Sequence, residues 1–225
     1  MAFAIKDSLG FTGTGTSTSV HMNNVANGDT LFLCIAVNST STNRVAITDS
    51  AANTYTRAGS FAGTLIEVEC FYVFNAVVNN TTTCTITPTV GTDIWAASWF
   101  SVSGFGTNTL VTAFDKKAGA SGLGTALDST ATATTAYAHE FVLGVNGQAN
   151  NRSWTAGTGY TQIGSQGNGT SAGIQTQWKE VSATGTYNET ASLDVTSNWV
   201  AGVFTFTDTA AAATSGIMRL MGVGS

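Results

Sequence analysis

Strand-length apolar runs alternate with turns rich in Gly, Asn, Asp and Ser along nearly the whole chain, a rhythm that predicts an all-β protein. The run from Thr30 to Val37 is apolar on both alternating faces, so it is expected to lie centrally with packing on each side. From Leu65 to Phe74 the pattern alternates, sending Ile66, Val68, Cys70, Tyr72 and Phe74 one way and Glu67 and Glu69 the other, which predicts a strand with one solvated face. Asn79 and Asn80 break that pattern, and Thr81 to Thr87 reads as the hairpin partner, closed by Pro88. A further strand is expected from Asp93 to Ser103, where Trp95 and Trp99 share a face. Residues 107–136 are dominated by Gly, Ala, Thr and Ser, and predict the largest loop of the fold with one short strand near Leu127. Strands resume at Glu140 to Val145, Tyr160 to Gly164, Gly173 to Val181, Tyr187 to Asp194 and Trp199 to Thr207. The Thr-rich strings at Thr12 to Ser19 and Ser129 to Thr135 read as edge strands or ordered loops. About a dozen strands at this spacing predict an antiparallel jelly-roll-type β-sandwich. Residues 1–208 form one domain in this reading, and residues 209–225 a short apolar tail outside the sandwich.

Composition narrows the function classes. The 225 residues are 43% hydrophobic and only 9% charged, so the polar surface must come from hydroxyls and amides. Eight Lys and Arg against 13 Asp and Glu give a net charge of −5, which disfavours a nucleic-acid partner; the one adjacent basic pair, Lys116 and Lys117, reads as a solvated loop. No apolar run approaches the roughly 20 residues of a membrane span, so no membrane partner is expected. The N-terminus lacks a basic stretch followed by an apolar one, and synthesis in a host cytoplasm is expected. Cys34, Cys70 and Cys84 form no metal-type spacing; Cys70 and Cys84 could meet across a hairpin, but buried free thiols are the favoured state.

Candidate chemistry is sparse. His21 and His139 sit in no zinc-like spacing and no Gly-x-Ser-x-Gly elbow occurs. Glu67 and Glu69, at i and i+2 on a strand, would project from one face roughly 7 Å apart; a glycoside hydrolase could use such a pair, but a solvated strand face accounts for it more simply. Asp49 to Asn53 is a faint calcium loop that reads better as an Asp/Asn turn. No catalytic residue, metal or cofactor is therefore assigned. Trp95, Trp99, Trp178 and Trp199 fall within strand patterns and read as core, whereas Trp154 and Tyr160, in a loop-rich stretch, are the candidates for stacking on a glycan. In the tail, Ile217, Met218, Leu220, Met221 and Val223 lie outside the sandwich pattern and are the candidate intersubunit anchor.

Three segments, Val45 to Gly59, Trp99 to Phe105, and Ser182 to Tyr187 leading to Trp199 to Phe206, resemble the concanavalin-like jelly-roll domains of bacterial surface proteins and phage virion proteins. The resemblance covers about residues 30–207, and its motifs are turns and core strands, so it bears on fold more than on function. It implies a structural protein of a phage particle, specifically a capsid cement or decoration subunit, located in the virion and partnered by copies of itself and other virion proteins. The alternative is a glycan-binding module or adhesin of a tail, fibre or cell surface.

Overall fold

The computed structural model describes residues 2–15, 18–79, 81–105, 113–169 and 171–208, and among these there is no helix. Fourteen strands run in chain order as β1 (Ala4–Thr14), β2 (Thr18–His21), β3 (Thr30–Val37), β4 (Val45–Asp49), β5 (Thr56–Ala62), β6 (Glu67–Val73) and β7 (Thr83–Pro88). They continue as β8 (Ile94–Ser103), β9 (Phe114–Asp128), β10 (His139–Gln148), β11 (Trp154–Ala156), β12 (Thr161–Asn168), β13 (Ala172–Ser182) and β14 (Thr190–Thr207). The fold is an antiparallel β-sandwich, as its alternating pattern predicts.

Three sheets build it. A central sheet runs β1-β8-β3-β6-β5, a second sheet places β14, β10, β13 and β12 side by side with β11 and β9 against β14, and a small sheet runs β2-β7-β4. Strand alternation on β3 explains why the central sheet needs cover on both faces. Phe32, Cys34 and Ala36 point toward the second sheet, where Phe141, Leu143, Val145, Phe204 and Phe206 meet them. Leu31, Leu33, Ile35 and Val37 point the other way, into a separate core with Trp95, Trp99, Cys84 and Ile86. A strand apolar on both faces thus separates two cores. Ser98 and Thr176 share a 2.9 Å hydroxyl hydrogen bond between the sheets, so these buried oxygens satisfy each other.

Aromatic packing joins the two larger sheets. The Phe32 ring lies 5.3 Å from Phe100, 5.5 Å from Phe141 and 4.9 Å from Phe206, centroid to centroid, distances at which ring pairs contribute beyond area burial. Phe32→Ala is expected to cost about 3–5 kcal/mol in urea unfolding; an unchanged midpoint would show that this aromatic layer does not hold the sheets together.

Several sequence expectations are corrected. β7 does not form a hairpin with β6: it pairs with β2 and β4, while β6 lies between β3 and β5. The β6 face carrying Glu67 and Glu69 is not solvated, for both residues are 0% exposed, because β4 and its approach cover that face. Half of the expected large loop is β9, a 15-residue strand along β14. Its small side chains are matched to their surroundings: the Phe61 ring packs so closely over Gly119 that an added Cβ would lie 2.4 Å from it. The expected strands at Tyr187 to Asp194 and Trp199 to Thr207 merge into the 18-residue β14, with a register irregularity between Ser192 and Ser197. Ser129 to Thr135 forms an ordered strip tied to the 185–189 segment at every third residue, through Ser129, Thr132 and Thr135 amides.

Candidate functional site

Of the two glycan-binding candidates, Trp154 lines a groove and Tyr160 is not among its lining residues. The groove measures about 340 Å³ and is walled by Asn151, Arg152, Ser153 and Trp154 on one side and by Gln162 and Ser165 of β12 on the other. Trp154 is half-buried, packed on Leu127 and Leu193. The segment before it is fixed by the Ala149 amide donating to the Asn198 carbonyl at 2.9 Å and the Asp194 amide to the Ser153 carbonyl at 3.0 Å. Gln148, itself buried, donates to the Arg152 carbonyl at 2.9 Å. Asn151 presses on Gly167, where an added Cβ would fall 2.0 Å from the Asn151 amide carbon; glycine is required for that approach. The backbone of this wall is therefore set before any ligand arrives.

Tyr160 belongs to a different environment. Its hydroxyl donates to the Asn188 carbonyl at 2.7 Å, and the Lys179 ammonium sits 4.3 Å from its ring centroid. Around it lies a buried polar layer that periodicity does not announce. Asn146 donates to the Glu189 carboxylate at 2.6 Å and Gln177 donates to the same oxygen. Burial pushes Glu189 up to about 7, with the two amides opposing that rise. The signal in the sequence was weak: Asn146, Gln148, Gln175 and Gln177 alternate with apolar residues on β10 and β13, which reads equally well as a solvated face.

The carboxylates Glu67 and Glu69 do share a face, but inside the protein. Glu69 accepts the Arg44 amide at 2.6 Å and pairs with the Arg57 guanidinium at 2.7 Å. Arg44 in turn makes a two-pronged bond to Asp93, at 3.0 and 2.6 Å. Burial, and then the adjacent Glu69, push Glu67 up to about 9. Burial raises Glu69 too, but the Arg44 amide and the Arg57 guanidinium oppose that rise, so the arrangement favours holding the pair's proton on Glu67. With both carboxyls at 0% exposure, a substrate has no path to flank them, and their chemistry is that of a structural clasp linking β4, β5 and β6.

Other candidates resolve into structural roles. His21 is exposed on an edge strand. His139 lies between Glu180 at 2.5 Å and Asp208 at 2.9 Å and stacks on Phe3; those two hydrogen bonds raise its pKa against a smaller opposing burial effect. Cys34 and Cys70 are cross-strand neighbours with sulfurs 3.8 Å apart, whereas Cys84 belongs to the other core; all three are buried free thiols. Asp49 accepts the Ala51 and Asn53 amides at 3.0 Å, making an Asp/Asn turn. Among the described residues no three His, Cys, Asp or Glu side chains gather as a metal site. The tail residues Ile217, Met218, Leu220, Met221 and Val223 lie outside the described residues.

Sequence reasoning also missed a surface. β9 pairs with β14 along one edge, and its other edge has no partner strand among the described residues. From Ala118 to Leu127 it carries no charged side chain, and Leu123 is 70% exposed. The β1 and β12 edges, by contrast, lie beside one another and are bridged by Asn168 donating to the Gly13 carbonyl at 2.7 Å. Comparison with protein-family models, with curated proteins and with solved structures gives no match to this chain.

Proposed function

We propose that this protein is a structural subunit of a phage particle, acting as a cement or decoration protein that stabilises a shell through protein contacts. The observation that carries the reading is the open β9 edge. A long strand edge with no partner strand among the described residues, no guarding charge and small side chains is a template for adding another strand. Natural proteins that must remain single blunt such edges with Lys, Pro or bulges, and the middle of β9 has none of the first two. The charge-poor composition points the same way, since few charged groups need to be stripped of water when surfaces meet. The sequence resemblance to virion jelly-roll domains supplies the setting.

Mass spectrometry of purified particles from a phage encoding the chain tests the setting: many copies per particle are expected, and particles made without it should break at lower temperature. Absence from the particles would overturn the reading. The edge itself is tested by sedimentation. The native chain is expected to self-associate or to bind particle proteins, and Ser121→Lys/Leu123→Lys, which places two charges on exposed β9 positions, is expected to weaken that association at least tenfold. Equal association by the variant would remove β9 from the account.

A further inference from the structure

We infer that the Trp154 groove is a binding site for an acidic saccharide of one or two rings. The inference does not depend on the particle reading, since the groove lies on the opposite side of β14 from the free β9 edge: both β11 and β9 pair with Ala191 and Ser192, which leaves them on opposite flanks.

Size, chemistry and rigidity all point to this ligand. A volume of about 340 Å³ falls at the lower end of the roughly 300–1,000 Å³ of small-ligand sites. One wall offers a half-buried indole, and a sugar ring presents an apolar C–H face suited to stack on it. The rest of the lining, on both walls, is two side-chain amides, Asn151 and Gln162, and two hydroxyls, Ser153 and Ser165. These groups both donate and accept, as adjacent sugar hydroxyls require. An apolar ligand would find too little greasy surface here, and a phosphate would find only one cation.

The acidic preference comes from Arg152. Among the described residues it is the only charged one lining the groove. Its side chain is only partly buried, and a guanidinium lining the groove can give a carboxylate a two-pronged, charge-assisted hydrogen bond. Its backbone is already pinned through Gln148, and Gly167 lets Asn151 close up beside it. The backbone share of the ordering cost is therefore met before binding.

The test is titration of the full chain with digalacturonate and, separately, with an uncharged disaccharide, followed by two-dimensional NMR of backbone amides and indole N–H groups. Digalacturonate is expected to shift the Trp154 indole and the Gln162 and Ser165 amides, and to bind at least tenfold more tightly than the neutral sugar. Arg152→Gln is expected to erase that preference. Trp154→Ala is expected to abolish binding. Because Trp154 also packs on Leu127 and Leu193, Ser165→Gln serves as a second variant: it fills the groove from an exposed position and should abolish binding with the melting temperature unchanged. No shift at millimolar digalacturonate, equal affinity for acidic and neutral sugars, or binding that survives Ser165→Gln would each overturn the inference.

Discussion

Thermal unfolding is expected to occur about 5–10 °C higher at pH 5 than at pH 8. The cause is a set of buried acids whose protonated forms the fold prefers. Glu67 is pushed from near 4.5 up to about 9, first by burial and then by Glu69 beside it. Glu140 and Glu189, both buried, are pushed up to about 7. For an acid whose folded pKa is raised, the folded state holds a proton that the unfolded chain releases. Its favourable effect is complete below the unfolded value near 4.5 and is lost as pH climbs toward the folded value. Between pH 5 and 8 each such proton changes stability by at most about 1.4 kcal/mol per pH unit, and relaxation of the site reduces this to about 2–4 kcal/mol in total. His139 acts in the same direction: its raised pKa stabilises the fold below the usual imidazole value and the effect fades as pH rises through the folded one. Asp115 is shifted downward, so its contribution is lost only at pH values below this window. Differential scanning fluorimetry across pH 5 to 8 decides the matter, and a flat or rising profile would contradict the placement of these groups. Glu67→Gln, which carries a neutral side chain at every pH, should flatten the slope and so separate this effect from relief of the −5 net charge.

The second large effect distinguishes the two members of the carboxyl pair. Glu69→Ala is expected to destabilise the protein by about 3–5 kcal/mol in urea unfolding at pH 7, the usual cost of removing one partner from a buried ionic cluster. It strands the Arg44 amide and takes from Arg57 its carboxylate partner, leaving that guanidinium with the Asn43 side-chain carbonyl and the Phe71 ring. Glu67→Gln is expected to change stability by less than about 1 kcal/mol, because a protonated acid is replaced by an amide of similar shape. Equal losses from the two substitutions would mean that Glu67 carries charge in the folded state, and the account of the cluster would fail.

Sandwich class was legible because hydrophobic alternation is local. Thr30–Val37 announced a doubly covered strand by itself, and the structure supplies both covers. Glu67 and Glu69 show where locality ends. Their shared face followed from strand geometry, but its burial depends on Arg44 and β4, more than 20 residues upstream, and on Asp93 beyond β7. β9 was missed for a related reason. Gly and Ala carry little strand preference of their own, and the segment is extended because the 18 residues of β14 give it a ladder and because Phe61 demands a glycine opposite. At the groove, Trp154 was visible as an aromatic in a loop, whereas Gln162 and Ser165 come from a strand across from it. Tyr160 had the same sequence credentials as Trp154, but its hydroxyl is tied to the Asn188 carbonyl and its ring lies under Lys179, away from the groove.

The division of the sheets along the chain bears on how the protein is made. Every strand of the central and small sheets lies between residues 4 and 103, and every strand of the second sheet between residues 114 and 207. On the ribosome, the face carrying Phe32, Phe100 and Val102 is therefore synthesised well before Phe141, Phe204 and Phe206 exist to cover it. At about 5–20 residues per second, that aromatic surface waits for roughly 5–20 s in a state prone to wrong contacts, so yield during production depends on translation speed and on chaperones that shield nascent hydrophobic surface.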